Sequence, residues 1–393
     1  MIKKITVFAL AALMALVSCT DKNNPNEGEN NQGNNNQENN QGNNNQTDPP
    51  APPADNTLTI GNAIASFVGK EWTGWTASNE ENGAGATGDQ VFVFKTAEDV
   101  AESHPEDGQA YAISSYYPTD YASYDFTGYF TSPEYEIPKS GAAFTFKWAY
   151  KYGPEDGVTV QVKSASSDWE TITMPFRAPA QHGPVSAGYA DLKKYAGEKI
   201  QIRLKYYGLV ENTGTWYISD FEILPAYVYV AADGAPEGWT IDNAIDPPVD
   251  IIDSGVSCGD SDGSSVWFYR ASDGWADIAA KTQHTFAAMG YTWDANDADA
   301  TAYFPEIKID GSSAIVAVGF FDNYMGEGQT TLVDKNGKVY GTFDHWGVWD
   351  DNFQVFDVSA AAGGKVTLGI RYTASSSFPA GTFCITKVIV ASK

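Results

Sequence analysis

Histidine and cysteine are scarce in this chain, four of the first and three of the second among 393 residues. His104, His182, His284 and His345 lie far apart, with no HExxH and no closely spaced pair, so a zinc hydrolase has no ligand set. Cationic side chains are the second shortage. Lys and Arg number 24 against 50 Asp and Glu, a formal net charge of −26 that repels phosphate backbones and excludes nucleic acid as a partner. Long amphipathic helical patterns are scarce too. The one extended apolar run, Ile5 to Val17, is too short for a full membrane span.

Fragments that look enzymatic fail on context. GVSCG (255–259) matches a nucleophile elbow, but GDSDGSS follows where that turn needs a helix. A glycosidase needs two carboxylates at a fixed separation, and among 50 acids no pair stands out. Cys258 has no local cue for a lowered pKa. The sequence therefore points away from an enzyme.

What the chain does contain is short alternating runs bounded by Gly, Pro, Asn and Asp. AAFTFKWAY (142–150), GVTVQVKS (157–164), EKIQIRLKYY (198–207) and TLVDKNGKVYGTF (331–343) read as strands, the last as a hairpin turning at Asn336-Gly337. Strands at this spacing predict an all-β sandwich or barrel. Four landmarks also recur in order: GWT at 74–76 and 238–240, Pro-Glu at 133–134 and 305–306, DLKKYAGEKIQIRLKY (191–206) with DVSAAAGGKVTLGIRY (357–372), and GTWYISDFEI (214–223) with GTFCITKVIV (381–390). The expected division is a first domain at 57–226 and a divergent second copy at 227–393, joined by the apolar LPAYVYVAAD.

The early GWT, the TSPEYEI segment and the closing GTWYISDFEI resemble the choice-of-anchor J and cleaved-adhesin group, over nearly all of 57–226 and more weakly over 227–393. The resemblance implies two tandem jelly-roll sandwiches of a kind borne by bacterial surface and secreted proteins. It also implies acidic residues near a structural calcium site at the end of the last strand. Ser219 stands where the family has its first acid, and Asp220 keeps the second. Strand parity puts Asp220 on one face with Trp216 and Ile218, opposite Phe221. A buried carboxylate is costly unless paired, so the expectation is Ca2+ on Asp220, with Asn79 and Glu80 supplying further oxygens. The alternative left open is a strand cap or a lysine partner. Lys387 takes this place in the second copy and disfavours calcium there. GDSDG (259–263) and DANDAD (294–299) are only fragments of calcium loops.

Aromatic residues make up 13% of the chain, and their placement points to binding. FDHWGVWDDN (343–352) sets Trp346 and Trp349 among Asp344, Asp350 and Asp351. Sugar recognition needs a flat apolar face for the ring's C–H groups and carboxylates or amides for its hydroxyls, and this stretch offers both. In SSYYPTDYASYDFTGYF (114–130), Tyr116, Tyr117 and Tyr121 are the surface candidates, whereas Phe126, Tyr129 and Phe130 read as core. A glycan is the expected ligand. An extracellular protein bound by an adhesin is the first rival, and a glycoside hydrolase the second.

The N-terminus supplies an address. MIKKITVFALAALMALVSCT resembles a bacterial lipoprotein signal (residues 1–18), with Leu16-Val17-Ser18-Cys19 as the lipobox and Cys19 as the lipidated residue. The tract from 19 to 56, with NNQGNNNQ at 30–37 and again at 39–46, has too little apolar surface to fold and reads as a tether. Lipoproteins of the Bacteroidetes type look similar, which implies an outer-membrane lipid anchor facing the cell surface. With Cys19 lipidated, Cys258 and Cys384 remain, and spacing alone leaves open a disulfide or two buried thiols.

Overall fold

In a computed structural model the described residues are 57–80, 126–151, 158–172, 185–208, 215–243, 267–270, 285–289, 298–323, 328–344, 352–374 and 381–393, with isolated positions between them. Cys19 and the whole lipoprotein signal and tether lie outside them, as does Cys258. Residues 55–393 form one compact unit. No helix among the described residues is long and apolar enough to cross a membrane.

The chain is all-β, built from facing sheets. One sheet orders its strands Thr76–Glu80, Phe126–Thr131, Lys199–Gly208, Val158–Ser164 and Glu170–Ile172. A second orders Thr240–Asn243, Ala298–Tyr303, Leu368–Ala374, Thr330–Asp334 and Val339–Thr342. Taken in chain order, the two sequences of strands are the same. The facing layers correspond as well. Val185–Asp191 borders Ala142–Lys151, which borders Thr215–Val230; in the second half Asn352–Asp357 borders Ala314–Asn323, which borders Thr382–Ser392.

Each half closes on its own core. The alternating Ile200, Ile202, Leu204 and Tyr206 meet Phe144, Phe146, Ile218 and Phe221 in the first. Ile370 and Tyr372 meet Val316, Phe320, Phe383 and Val388 in the second. The first core ends in an aromatic cluster, with Phe221 5.1 Å from Trp72 and 4.9 Å from Trp75 between ring centroids. Aromatic contacts of this kind add to the area that the rings bury.

The halves share a sheet. Thr215–Val230 pairs with Ala142–Lys151 as far as Pro225, then exchanges that partner for residues 387–391 of the terminal strand. Ala143, Leu224, Ala226 and Val228 pack there against Ala317, Ile389 and Ala391. Three ion pairs border the seam: Lys387 with Asp191, Lys393 with Glu222, and Lys193 with Asp233 at 2.7 Å. Leu58–Ile60 crosses over. It pairs in parallel with Ile307–Ile309, and Ile60 is buried in the second core.

Strand parity fails at Asp220. The pairing with Ala142–Lys151 shifts register between Ser219 and Glu222. Asp220 takes φ 53°, the one non-glycine residue at positive φ among those described. The extra residue turns Phe221 to the side that Ile218 already faces, so both are fully buried in the same core. Aspartate is among the few residues that tolerate this left-handed backbone.

Candidate ligand-binding site

The two tryptophans expected to bind, Trp346 and Trp349, lie outside the described residues with Asp350 and Asp351, as do Tyr116, Tyr117 and Tyr121. The frame around 345–351 is described. Phe343 is 1% exposed and meets Phe320, Phe356 and Phe383 edge-on, with centroids 5.1, 4.7 and 4.9 Å away. Asp344 is exposed, and its amide donates to Gln354 Oε1 at 2.8 Å. Gln354 Nε2 donates in turn to the Thr342 carbonyl at 2.9 Å. A buried aromatic plug and one glutamine side chain thus fix the base from which the Trp346–Trp349 segment departs.

At Asp220 the lysine partner is what the structure shows. Oδ1 accepts the Gly69 amide at 2.8 Å, and Oδ2 lies 2.9 Å from Lys147 Nζ. The carboxylate is 6% exposed, and these contacts offset the cost of burying its charge. A Ca2+ ion would compete with the ammonium for the same oxygen. The side chains of Asn79 and Glu80 lie outside the described residues. Among the described residues no three His, Cys, Asp or Glu gather as a metal site. Within DANDAD, Asp299 is bound to Arg371, by Nε at 2.7 Å and Nη2 at 2.6 Å. Cys384 is 2% exposed on the terminal strand, while Cys258, with which a disulfide was left open, lies outside the described residues.

A cluster that sequence reasoning missed occupies the outer face of the first sheet. Because Ile200, Ile202, Leu204 and Tyr206 turn inward, Arg203 and Lys205 turn outward. Cross-strand register sets Arg203 against Gln161 and Lys205 against Tyr129. The Arg203 guanidinium carbon lies 4.2 Å from the Tyr129 ring centroid and 4.2 Å from that of Trp169. Its Nε donates to Gln161 Oε1 at 2.7 Å, and Gln161 Nε2 donates to Thr171 Oγ1 at 3.3 Å. Tyr129, expected in the core, is instead buried on this outer face beneath the guanidinium. Trp169 is half-buried, with Lys163 Nζ 6.0 Å from its centroid.

Asp168 sits at the rim. The Trp169 amide that it accepts at 2.8 Å, and then the Lys163 ammonium, hold its carboxyl below the usual carboxylate range. Glu170 is likewise held low, first by Lys194 and then by the Tyr195 hydroxyl that donates to it. The signal for this cluster was the basic alternation in QIRLK beside a lone tryptophan in SSDWE. Finding it from sequence required the register of four separate strands.

No protein-family profile matches the chain, and no curated protein matches it. Among solved structures it is similar to TmCBM61 in complex with β-1,4-galactotriose, at 14% identity and a TM-score of 0.24, covering 39% of this chain and 90% of that one. It is similar to a cleaved adhesin domain of Lys-gingipain from Porphyromonas gingivalis, at 11% identity and TM-score 0.30, covering 43% and 98%. The tandem CBM22 domains of Paenibacillus barcinonensis Xyn10C match at 11% identity and TM-score 0.25, covering 86% and 99%. Likenesses this distant assign no ligand.

Proposed function

We propose that this is a non-catalytic cell-surface lipoprotein, anchored in the outer membrane through Cys19, that uses two sandwich units at 57–226 and 227–393 to bind an extracellular glycan. The observation that carries the reading is the fixed base at Phe343 and Gln354, which holds a short segment bearing two tryptophans among aspartates. A rigid scaffold presenting aromatic and acidic side chains on a connection suits binding.

The test is affinity electrophoresis of the full chain on gels containing neutral and acidic polysaccharides. Trp346→Ala and Trp349→Ala are expected to weaken retention about tenfold each, the scale of losing one stacked aromatic. Unchanged retention of both variants on every glycan that retards the wild type removes this segment from the site. Failure of every glycan, together with capture by a surface protein, transfers the reading to an adhesin.

A further inference from the structure

Cross-strand register sets two parallel rows on the outer face of the second half's sheet. Thr240, Tyr303, Gly369, Val333 and Val339 stand in line across its strands. Beside them run Asp242, Thr301, Arg371, Thr331 and Thr342. Between the rows in sequence, Ile241, Ala302, Ile370 and Leu332 point into the core, which turns both rows outward. At the usual spacing between strands, each row is about 19 Å long.

The fold does not demand an apolar row here. Its counterpart in the first half is Thr76, Thr131, Arg203, Gln161 and Thr171, set in the same cross-strand order. In the second half Tyr303 stands for Thr131, Gly369 for Arg203, Val333 for Gln161 and Val339 for Thr171. Each exchange along this line replaces a polar side chain with an apolar or missing one. Gly369 makes room for the tyrosine. A Cβ there would come within 2.7 Å of the Tyr303 ring, so the ring fills the space above the glycine. Val333 is buried beside it, Tyr303 stays partly exposed, and Val339 is 53% exposed. The second row carries threonine hydroxyls, the exposed Asp242, and Arg371. Asp299 neutralises that guanidinium through Nε at 2.7 Å and Nη2 at 2.6 Å. The row is left with a net negative charge, which repels anions and suits hydroxyl donors.

We propose that the two rows form a second binding site, which takes a linear neutral glycan laid across the strands. The C–H faces of successive rings rest on Tyr303 and Val339, while ring hydroxyls donate to Asp242 and exchange hydrogen bonds with Thr331 and Thr342. A strip one side chain wide suits a chain of single rings. A stable protein partner needs about 800 Å² on each side, and the polar row interrupts any such patch. The inference rests on the glycan-binding reading and adds the charge class and a location apart from Trp346 and Trp349.

The experiment titrates the full chain, and a form carrying both Trp346→Ala and Trp349→Ala, with neutral galactan, mannan and xylan, and with polygalacturonate as the charged counterpart. The double variant is expected to keep binding at least one neutral polymer, and more tightly than polygalacturonate. Adding Tyr303→Thr, which restores the first half's residue, is expected to weaken that binding about tenfold, and Val339→Gln about threefold. Tyr303→Phe keeps the ring and should hold binding within about twofold. Tyr303→Thr also uncovers Gly369. Val339→Gln, at an exposed position and with an unchanged unfolding midpoint, carries the test if that variant fails to fold. Thr131→Ala, at the first half's counterpart of Tyr303, should change nothing.

Neutral-glycan binding that is indifferent to Tyr303→Thr and Val339→Gln overturns the site, and so does an equal loss at Thr131→Ala. Tighter binding of polygalacturonate overturns the charge class. Self-association of the wild type that Val339→Gln abolishes would make the row a contact between copies, and overturns the site too. Complete loss of binding in the double tryptophan variant overturns this inference and leaves the proposed function standing. Full retention there, with loss on adding Tyr303→Thr, supports the rows and removes the Trp346–Trp349 segment. Binding of none of the polymers, nor of any other glycan, removes both.

Discussion

The two halves set the same strands in the same order, yet differ wherever a side chain leaves the core. Arg203 lies within 4.2 Å of two ring centroids on one outer face, whereas the corresponding face of the other half carries Gly369, Tyr303 and an Arg371–Asp299 pair. The closing strands differ too. Asp220 is buried against Lys147 in the first half, and Lys387 in the second points to Asp191 across the seam. Duplication constrains the inward positions, because each must fill a layer with little free volume. Outward positions carry no such constraint and differ between the halves.

The sharpest way to break the comparison is at the cores. Phe221→Ala deletes a fully buried ring touching Trp72, Trp75 and Phe144, and should cost about 3–5 kcal/mol in chemical denaturation. Val388→Ala, on the second closing strand, removes far less volume and should cost about 1–2 kcal/mol. Equal losses would mean that the aromatic cluster adds nothing to the first half.

A smaller effect tests the Asp220 pair. Lys147→Ala leaves the carboxylate with the Gly69 amide, for an expected loss of about 1 kcal/mol, reduced because Lys147 is 44% exposed. Added calcium should leave the wild-type melting midpoint where it is. An upward shift would show an ion competing successfully with the ammonium.

The exposed Arg371–Asp299 pair should matter less still, with Asp299→Ala costing between about 0.2 and 1 kcal/mol in chemical denaturation. A larger loss would show that the pair is shielded from solvent more than its exposure indicates.

The slightest effect is on pH. The folded-state pKa values of Asp168, Glu170 and Glu198 are depressed, so their contribution is present above the unfolded value and is lost as pH falls through the folded one. Acidification from about pH 4.5 to about pH 3 should lower the midpoint, and Glu170→Gln should flatten that slope. Asp357, held low first by the Ser359 hydroxyl, gives the second half a similar but smaller dependence. A slope untouched by Glu170→Gln would place the acid sensitivity elsewhere.

The core was readable wherever period-2 alternation runs unbroken, as in Ile200, Ile202, Leu204 and Tyr206. It misled at Phe221, where a single inserted residue at positive φ reverses the alternation, and no local pattern in GTWYISDFEI announces that insertion. The all-β class was legible because it rests on many strands at once. The Arg203 cluster was not, since Tyr129, Gln161, Trp169 and Arg203 meet only after strand register is set across the sheet. Leu58–Ile60 was equally opaque. Its apolar alternation shows that it wants burial but not in which core.

That crossover strand decides how the molecule answers a pull. Its amide and carbonyl groups bond sideways to Ile307–Ile309, and Asp310 donates to the Ile60 carbonyl at 2.9 Å. Tension arriving along the chain from residue 56 would load these bonds together, in shear, instead of peeling them apart singly. The stress would enter the second sandwich first, before it reaches the strands of the first half that follow Ile60.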